Sequence, residues 1–328
     1  MWDATWTMAA NYHSPRAPRK ARPFTPGGAF ASLLPMTPAG KLSQTFPSSG
    51  AAGTIVGREN RWLKRFRAAL RGGKPATEGC VGVEGARLVE EALRSGLRVE
   101  AVLVSTSGDR HLARLSRWIE SGVPVLRTTN RLFAGVADTQ TPQGVAALVQ
   151  PRPAGFDDLI RGLPLVVVLV GVQDPGNVGT ILRAAEAFGA TGAAACASGN
   201  STTANPFAPK ALRASAGSAL RLPILHGVSL PILLAQLRVA GVKLYAACSE
   251  PAPAAAGAQR ALNPWETDLR GPAALLVGNE GAGLPAEVER SADARVQVRL
   301  APGVESLNAA VAAAVLLYEA ARQRSGLT

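Results

Sequence analysis

The side chains best equipped for chemistry cluster in three turns of the second half of the chain. The first turn runs Gly171-Val-Gln-Asp-Pro-Gly-Asn-Val-Gly-Thr-Ile-Leu-Arg183, the second Leu275-Leu-Val-Gly-Asn-Glu-Gly-Ala-Gly-Leu284, and the third Val298-Arg-Leu-Ala-Pro-Gly-Val-Glu-Ser-Leu-Asn308. Gly171 and Gly176 have the spacing of a phosphate-binding loop, but Asn177 and Val178 stand where Lys and Ser/Thr are required, and no GxGxxG is present. What remains is Asn177 as a helix N-cap, glycines that let another backbone come close, and Arg183 about two helical turns further on. Flanked by Ile181, Leu182, Ala184 and Ala185, Arg183 is expected to be partly buried and to require an anion or carbonyl partner. Asn279 and Glu280 sit between glycines, an arrangement that an ordinary tight turn would also produce. Ser306 reads as the N-cap of a helix whose Leu307, Val311, Ala314 and Tyr318 form an apolar stripe belonging to the core.

Turns of this kind need strands beneath them. Leu163 to Val170 is apolar throughout apart from Pro164, as in a strand buried on both faces. Further strands are predicted at residues 192–197, 242–248, 273–277 and 296–300, alternating with helices near 178–188, 231–240 and 307–324. The fold class is therefore α/β with a doubly wound parallel sheet, and such sheets hold ligands at the carboxyl ends of their strands. Upstream, residues 60–70 place Leu63, Phe66 and Leu70 on one helical face and Arg61, Lys64, Arg65 and Arg67 on the others. Strands at 79–83, 99–105, 124–126 and 144–149, with helices over 84–95 and 110–121, complete a small α/β unit. The expected division is a disordered basic arm at 1–54, the small unit at 55–150, a linker at 151–162 and the larger unit at 163–328.

Ten of the twelve net positive charges fall in the first 150 residues. A basic segment joined to a near-neutral one suits a polyanion grip attached to a working domain; a plain solvated basic surface is the blander alternative. Cys80, Cys196 and Cys248 are odd in number and lack CxxC spacing, which points to a reducing, cytoplasmic setting rather than a disulfide framework. His13, His111 and His226 are scattered, so no metal is expected, and no GxSxG nucleophile elbow occurs. No apolar run reaches the roughly 18 residues of a membrane span. The first 50 residues faintly resemble an organelle transit segment, but are read as a basic arm or as sequence upstream of an internal start at Met36.

Taken together, the order and wording of the three turns resemble the motifs of the SpoU (TrmH) family of RNA ribose 2′-O-methyltransferases. The likeness is carried by Asp174-Pro-Gly-Asn-Val-Gly179 with Arg183 and Phe188-Gly189, by Gly278-Asn-Glu-Gly-Ala-Gly283, and by Glu305-Ser-Leu-Asn308. Pro209-Lys-Ala-Leu-Arg-Ala-Ser-Ala-Gly217, followed by Leu222-Pro223, is similar to the segment between the first two motifs. The small unit resembles the ribosomal-protein-like substrate-binding domain often fused ahead of this catalytic domain.

The resemblance implies a trefoil-knotted catalytic domain that binds S-adenosylmethionine near Gly278, Asn279, Leu300, Leu307 and Asn308, largely through backbone groups. It implies a homodimer joined through the knot. By the same resemblance Arg183 is the central catalytic residue, with Asn177, Glu280, Ser306 and Asn308 around the ribose and donor. RNA would be gripped by Arg61, Lys64, Arg65, Arg67, Lys210 and Arg213. Large-subunit ribosomal RNA is the favoured substrate; a transfer RNA enzyme and a catalytically silent ribosome-assembly factor are the alternatives.

Overall fold

The computed structural model describes residues 53–71, 79–198, 201–248 and 260–326. All of the predicted arm except Gly53 and Thr54 lies outside them. Twelve strands are present among the described residues: β1 Thr54–Ile55, β2 Val81–Glu84, β3 Arg98–Ser105, β4 Val125–Thr128, β5 Val145–Gln150, β6 Leu165–Val170, β7 Gly192–Ser198, β8 Ser201–Thr202, β9 Ile224–Val228, β10 Lys243–Cys248, β11 Ala273–Val277 and β12 Ala294–Gln297.

The first five form one sheet in the order β1-β4-β3-β5-β2, in which β5 runs antiparallel to both β2 and β3. The others form a second sheet in the order β12-β10-β11-β6-β7-β8, with β9 also beside β7; every pair is parallel except the short antiparallel β7–β8. All six residues of β6 are buried, as a strand covered on both faces requires. One apolar core passes through both units, joining Val81, Leu88 and Val149 to Leu165, Ile181 and Leu316. Ion pairs span the same junction, from Arg213 to Asp138 (2.7 Å) and from Arg221 to Glu91 (3.0 Å).

Pairing of β6 with β11 in parallel, Leu169 opposite Val277, brings the turns that follow these strands side by side. The third turn arrives differently. After β12 the chain crosses to the helix Ala309–Arg324, which packs on the helix Pro175–Ala187, with Phe188 and Tyr318 edge to face at 5.7 Å. Gly179 is needed for a further contact, because a Cβ there would meet the Ala211 carbonyl oxygen at 2.3 Å and the Ala214 Cβ at 2.7 Å. The backbone that approaches this glycine is thus the helix Pro209–Ala214 of the same chain.

Several expectations are corrected. Ahead of the first motif helix the N-cap is Asp174, whose side chain accepts from the Gly176 N–H, and Asn177 lies within the first turn. Asn308, not Ser306, caps the last helix, accepting from the N–H groups of Ala310 (2.9 Å) and Val311 (3.3 Å). The buried face of that helix is Ala310, Ala313, Leu316, Leu317 and Ala320, so the stripe assigned to the core is displaced. Val311 and Tyr318 from it are exposed at 50% and 58%. The last strand of the second sheet ends at Gln297 rather than extending to residue 300, and the helix expected over 110–121 stops at Leu115, continuing only as a 3₁₀ turn. Strand β9 was not anticipated.

Candidate active site

The three turns meet. The Asn308 side-chain amide donates to the Asn177 Oδ1 (2.9 Å), and the Asn177 amide donates in turn to the Glu280 carboxylate (2.9 Å). Glu280 also accepts from the main-chain N–H groups of Gln173 (3.2 Å) and Asp174 (3.1 Å). Asn279 completes the link, donating to the Gly171 carbonyl while its oxygen accepts from the N–H groups of Gly281 and Ala282, all at 2.9 Å. All three asparagine amides, of Asn177, Asn279 and Asn308, are therefore used at each end, which fixes the way they point.

Burial raises the pKa of Glu280, but the hydrogen bonds from Asn177 and the main chain outweigh it and hold the carboxyl below its ordinary value. A carboxylate with a lowered folded pKa adds stability above its unfolded pKa, and that contribution disappears as pH falls through the folded value. Glu280→Gln should accordingly be less stable than wild type at pH 7, with the gap closing in urea melts taken down to pH 4. Because the carboxylate is largely exposed and screened, the gap should stay below about 1 kcal/mol. A gap that widens on acidification would contradict this assignment.

Beside the Asn177–Glu280–Asn308 chain lies a cleft of about 340 Å³, walled by Gly278, Asn279, Leu300, Ser306 and Leu307. That volume falls within the roughly 300–1,000 Å³ of small-molecule sites. Ala247, Ala309, Ala312 and Ala313 keep its interior open by being small, and Cys248, Glu289 and Arg295 form one side. Burial pushes the Cys248 thiol up, so it stays neutral; Arg295 is paired with Glu289 at 3.1 Å. The main-chain N–H groups of Leu300 and Leu307 take no protein partner among the described residues. A slot of mixed lining, with small apolar side chains on one part and polar groups and idle backbone donors on another, suits a flat heteroaromatic ring and its polar edge, and so fits S-adenosylmethionine. Cys248, Glu289 and Arg295 were not singled out in the sequence; only Cys248, at the carboxyl end of β10, carried a positional signal, since Glu289 lies in the helix Ala286–Ser291 and Arg295 near the start of β12.

Arg183 stands apart from this cleft. It is exposed and has no hydrogen-bond or ion-pair partner among the described residues, contrary to the partial burial expected of it. Its apolar neighbours Ile181, Leu182 and Ala185 point inward, while residue 183 falls on the outer face of the helix. It lines a second cavity together with Arg213. Lys210 reaches Asp174 at 2.5 Å.

On the helix Arg61–Arg71 the cations are divided. Arg65 pairs with Glu100, and Arg67 donates to the Gly135 carbonyl (3.2 Å), so both serve the protein. Arg61 and Lys64 remain exposed, the latter beside Glu59 (2.6 Å). Phe66 is wholly buried, and Arg65 lies over the Trp62 ring at 4.9 Å.

Comparison with known proteins agrees with this geometry. The description "SpoU rRNA Methylase family" matches residues 164–318, and "MRM3-like substrate binding domain" matches residues 74–147. An uncharacterised tRNA/rRNA methyltransferase of Synechocystis is 33% identical, over 85% of this chain and 97% of its own length. The Bacillus subtilis 23S rRNA (guanosine(2553)-2′-O)-methyltransferase RlmP is 34% identical, over 72% and 86%. Among solved structures, the SpoU methyltransferase AviRb of Streptomyces viridochromogenes in complex with AdoMet superposes with a TM-score of 0.69 at 27% identity, covering 81% of this chain and 100% of that one.

A parallel α/β sheet with a glycine-walled cleft beyond its strand ends, seen with these relatives, defines an S-adenosylmethionine-dependent RNA 2′-O-ribose methyltransferase. The chain belongs to the SpoU rRNA methylase family.

Proposed function

We propose that this protein methylates a ribose 2′-hydroxyl of large-subunit ribosomal RNA in the cytoplasm, residues 55–150 holding the RNA and residues 163–328, joined through the linker 151–162, performing the transfer. The observation that carries this reading is the hydrogen-bonded run Asn308–Asn177–Glu280 along the rim of the cleft, with the guanidinium of Arg183 unpaired on the same helix as Asn177. Gly278, Asn279, Leu300, Leu307 and Asn308 hold the methyl donor. S-adenosylmethionine, when bound, supplies an electrophilic methyl group on a sulfonium.

The protein's own contribution is placement and charge. Asn177, Glu280, Ser306 and Asn308 fix the ribose at the rim, and a held alignment can supply much of the rate enhancement. Arg183 clamps a phosphate and polarises the 2′-oxygen as negative charge develops there. Its pKa above about 12 makes it a poor base, so the hydroxyl proton passes to another acceptor or to solvent. Val311, Val315 and Tyr318 give the last helix an exposed apolar face. That face, beside the predicted knot, is where a second copy docks to form the homodimer.

Incubation of the purified protein with methyl-labelled S-adenosylmethionine and total RNA from a strain lacking this gene tests the proposal. Label is expected in 23S-type RNA at an alkali-resistant 2′-O-methylated position. Label confined to transfer RNA would overturn the substrate assignment. Cofactor binding in calorimetry with no transfer to any RNA would favour the silent assembly factor.

A further inference from the structure

A cavity of about 430 Å³, distinct from the cofactor cleft, is lined by the first unit and by the helices Pro175–Ala187 and Pro209–Ala214 of the second. Arg183 and Arg213 face it from the second unit. From the first come Arg87, in the opening turn of the helix Ala86–Arg94, and Thr139, Thr141 and Gln143 of the connection leading into β5. Of the three guanidinium groups only that of Arg213 meets a carboxylate among the described residues, Asp138 at 2.7 Å, and even there Nη1 is buried with no partner. Arg87 and Arg183 are exposed and unpaired among those residues. The one carboxylate lining the cavity among the described residues, Glu84, forms no ion pair with these cations and instead accepts from the N–H of Asp138 (2.8 Å) and from the Thr139 hydroxyl.

Three like charges around one cavity repel unless an anion joins them, and a buried guanidinium nitrogen without an acceptor is costly. Apart from Glu84, whose oxygens are engaged within the first unit, the surroundings supply donors. The helix bearing Arg87 has no acid in its first turn and its N-cap Gly85 brings no side chain, so no anion of the helix itself offsets its positive end. Gln143 accepts from the Ala86 N–H through Oε1, which leaves its amide N–H groups to donate. A ligand for this place must be strongly anionic and rich in acceptor oxygens. Arg183 and Asn177 are six residues apart on one helix, about 9 Å along its axis, so an extended strand in the cavity also reaches the rim of the cofactor cleft.

We propose that this cavity grips the phosphodiester backbone of the RNA strand carrying the target ribose, with Arg87 and Arg213 of a single chain forming a phosphate clamp across the two units. The inference rests on the RNA-methylating function proposed above and adds Arg87 as a substrate-positioning residue. The probe is in-vitro-transcribed 23S ribosomal RNA, bound to the full-length chain over a series of potassium chloride concentrations. Arg87→Gln should weaken binding about tenfold, as loss of a bidentate charge-assisted contact does. It should also lower the slope of log K against log salt by about 0.7, the value of one phosphate contact on a single strand. Arg87→Lys should restore the slope, and Arg98→Gln, which removes an exposed charge at the start of β3 in the same unit, should leave it alone. Calorimetry should give the same S-adenosylmethionine affinity for Arg87→Gln as for wild type, which reports an intact fold.

Wild-type RNA affinity and salt slope in Arg87→Gln would overturn the clamp. So would loss of inorganic phosphate binding with RNA binding unchanged, which would make the cavity a small-anion site. If the wild-type protein bound RNA but transferred no methyl group, the function above would fail while the salt comparison still decided the clamp.

Discussion

Replacing Arg183 by alanine should lower kcat by roughly 10²–10³, the usual cost of removing one donor aimed at developing oxyanion charge, while melting temperature and S-adenosylmethionine affinity stay near wild type. The structural basis for this separation is the exposure of the side chain and its lack of any partner among the described residues. Exposed substitutions away from packed contacts usually change stability by no more than about 0.5 kcal/mol, and Arg183 is absent from the wall of the cofactor cleft. Arg183→Lys divides the two ways a cation can act. It keeps the charge but loses the planar fork, so a bidentate clamp on phosphate and ribose predicts that most of the loss persists. Near-complete kcat in the lysine variant, measured at saturating RNA, would remove the clamp from the mechanism.

The same residue illustrates where sequence reasoning held and where it stopped. The strands beneath the site were legible because parallel strands buried on both faces read as unbroken apolar runs, and β6 and β11 appear close to the expected positions. Arg183 was expected to be half-buried because its neighbours in sequence are apolar. A helix turns those neighbours inward and residue 183 outward, and only the placement of the opposing helix decides which face is which. Capping was misread for a related reason. Asn, Asp and Ser all cap well, so Asp174 and Asn177 compete for one helix end and Ser306 and Asn308 for the other. The outcome follows from tertiary contact, since Asn308 can cap its own helix with Oδ1 and still donate to Asn177. The basic helix shows the limit for charge. Arg65 and Arg67 looked like surface cations, but Glu100 and the Gly135 carbonyl are distant in sequence and were invisible as their partners.

Gly278→Ala should be the most damaging single-methyl change in the second turn. A Cβ at this position would lie 2.3 Å from the carbonyl carbon of Gly283 and 2.4 Å from the nitrogen of Leu284, both backbone atoms that cannot rotate away. The turn is closed at that point by paired main-chain hydrogen bonds, from the Asn279 N–H to Gly283 (2.9 Å) and from the Gly283 N–H to Asn279 (3.0 Å), so the extra methyl must force them apart. Overpacking of this kind costs about 1–3 kcal/mol, to be read in urea melts. The functional loss should be larger in proportion, because the same turn supplies a wall of the cofactor cleft and carries Glu280 to Asn177. A displacement near 1 Å in such a site lowers the rate by about a hundredfold, and S-adenosylmethionine affinity measured by calorimetry should fall with it. Gly281→Ala provides the internal comparison. Three residues along the same turn, its Cβ would find only the Asn279 Oδ1 at 3.7 Å, an ordinary contact. That variant should fold and bind the cofactor nearly as wild type does. Equal behaviour of the two variants would mean that glycine content, rather than the closure at Gly278, is what this turn requires.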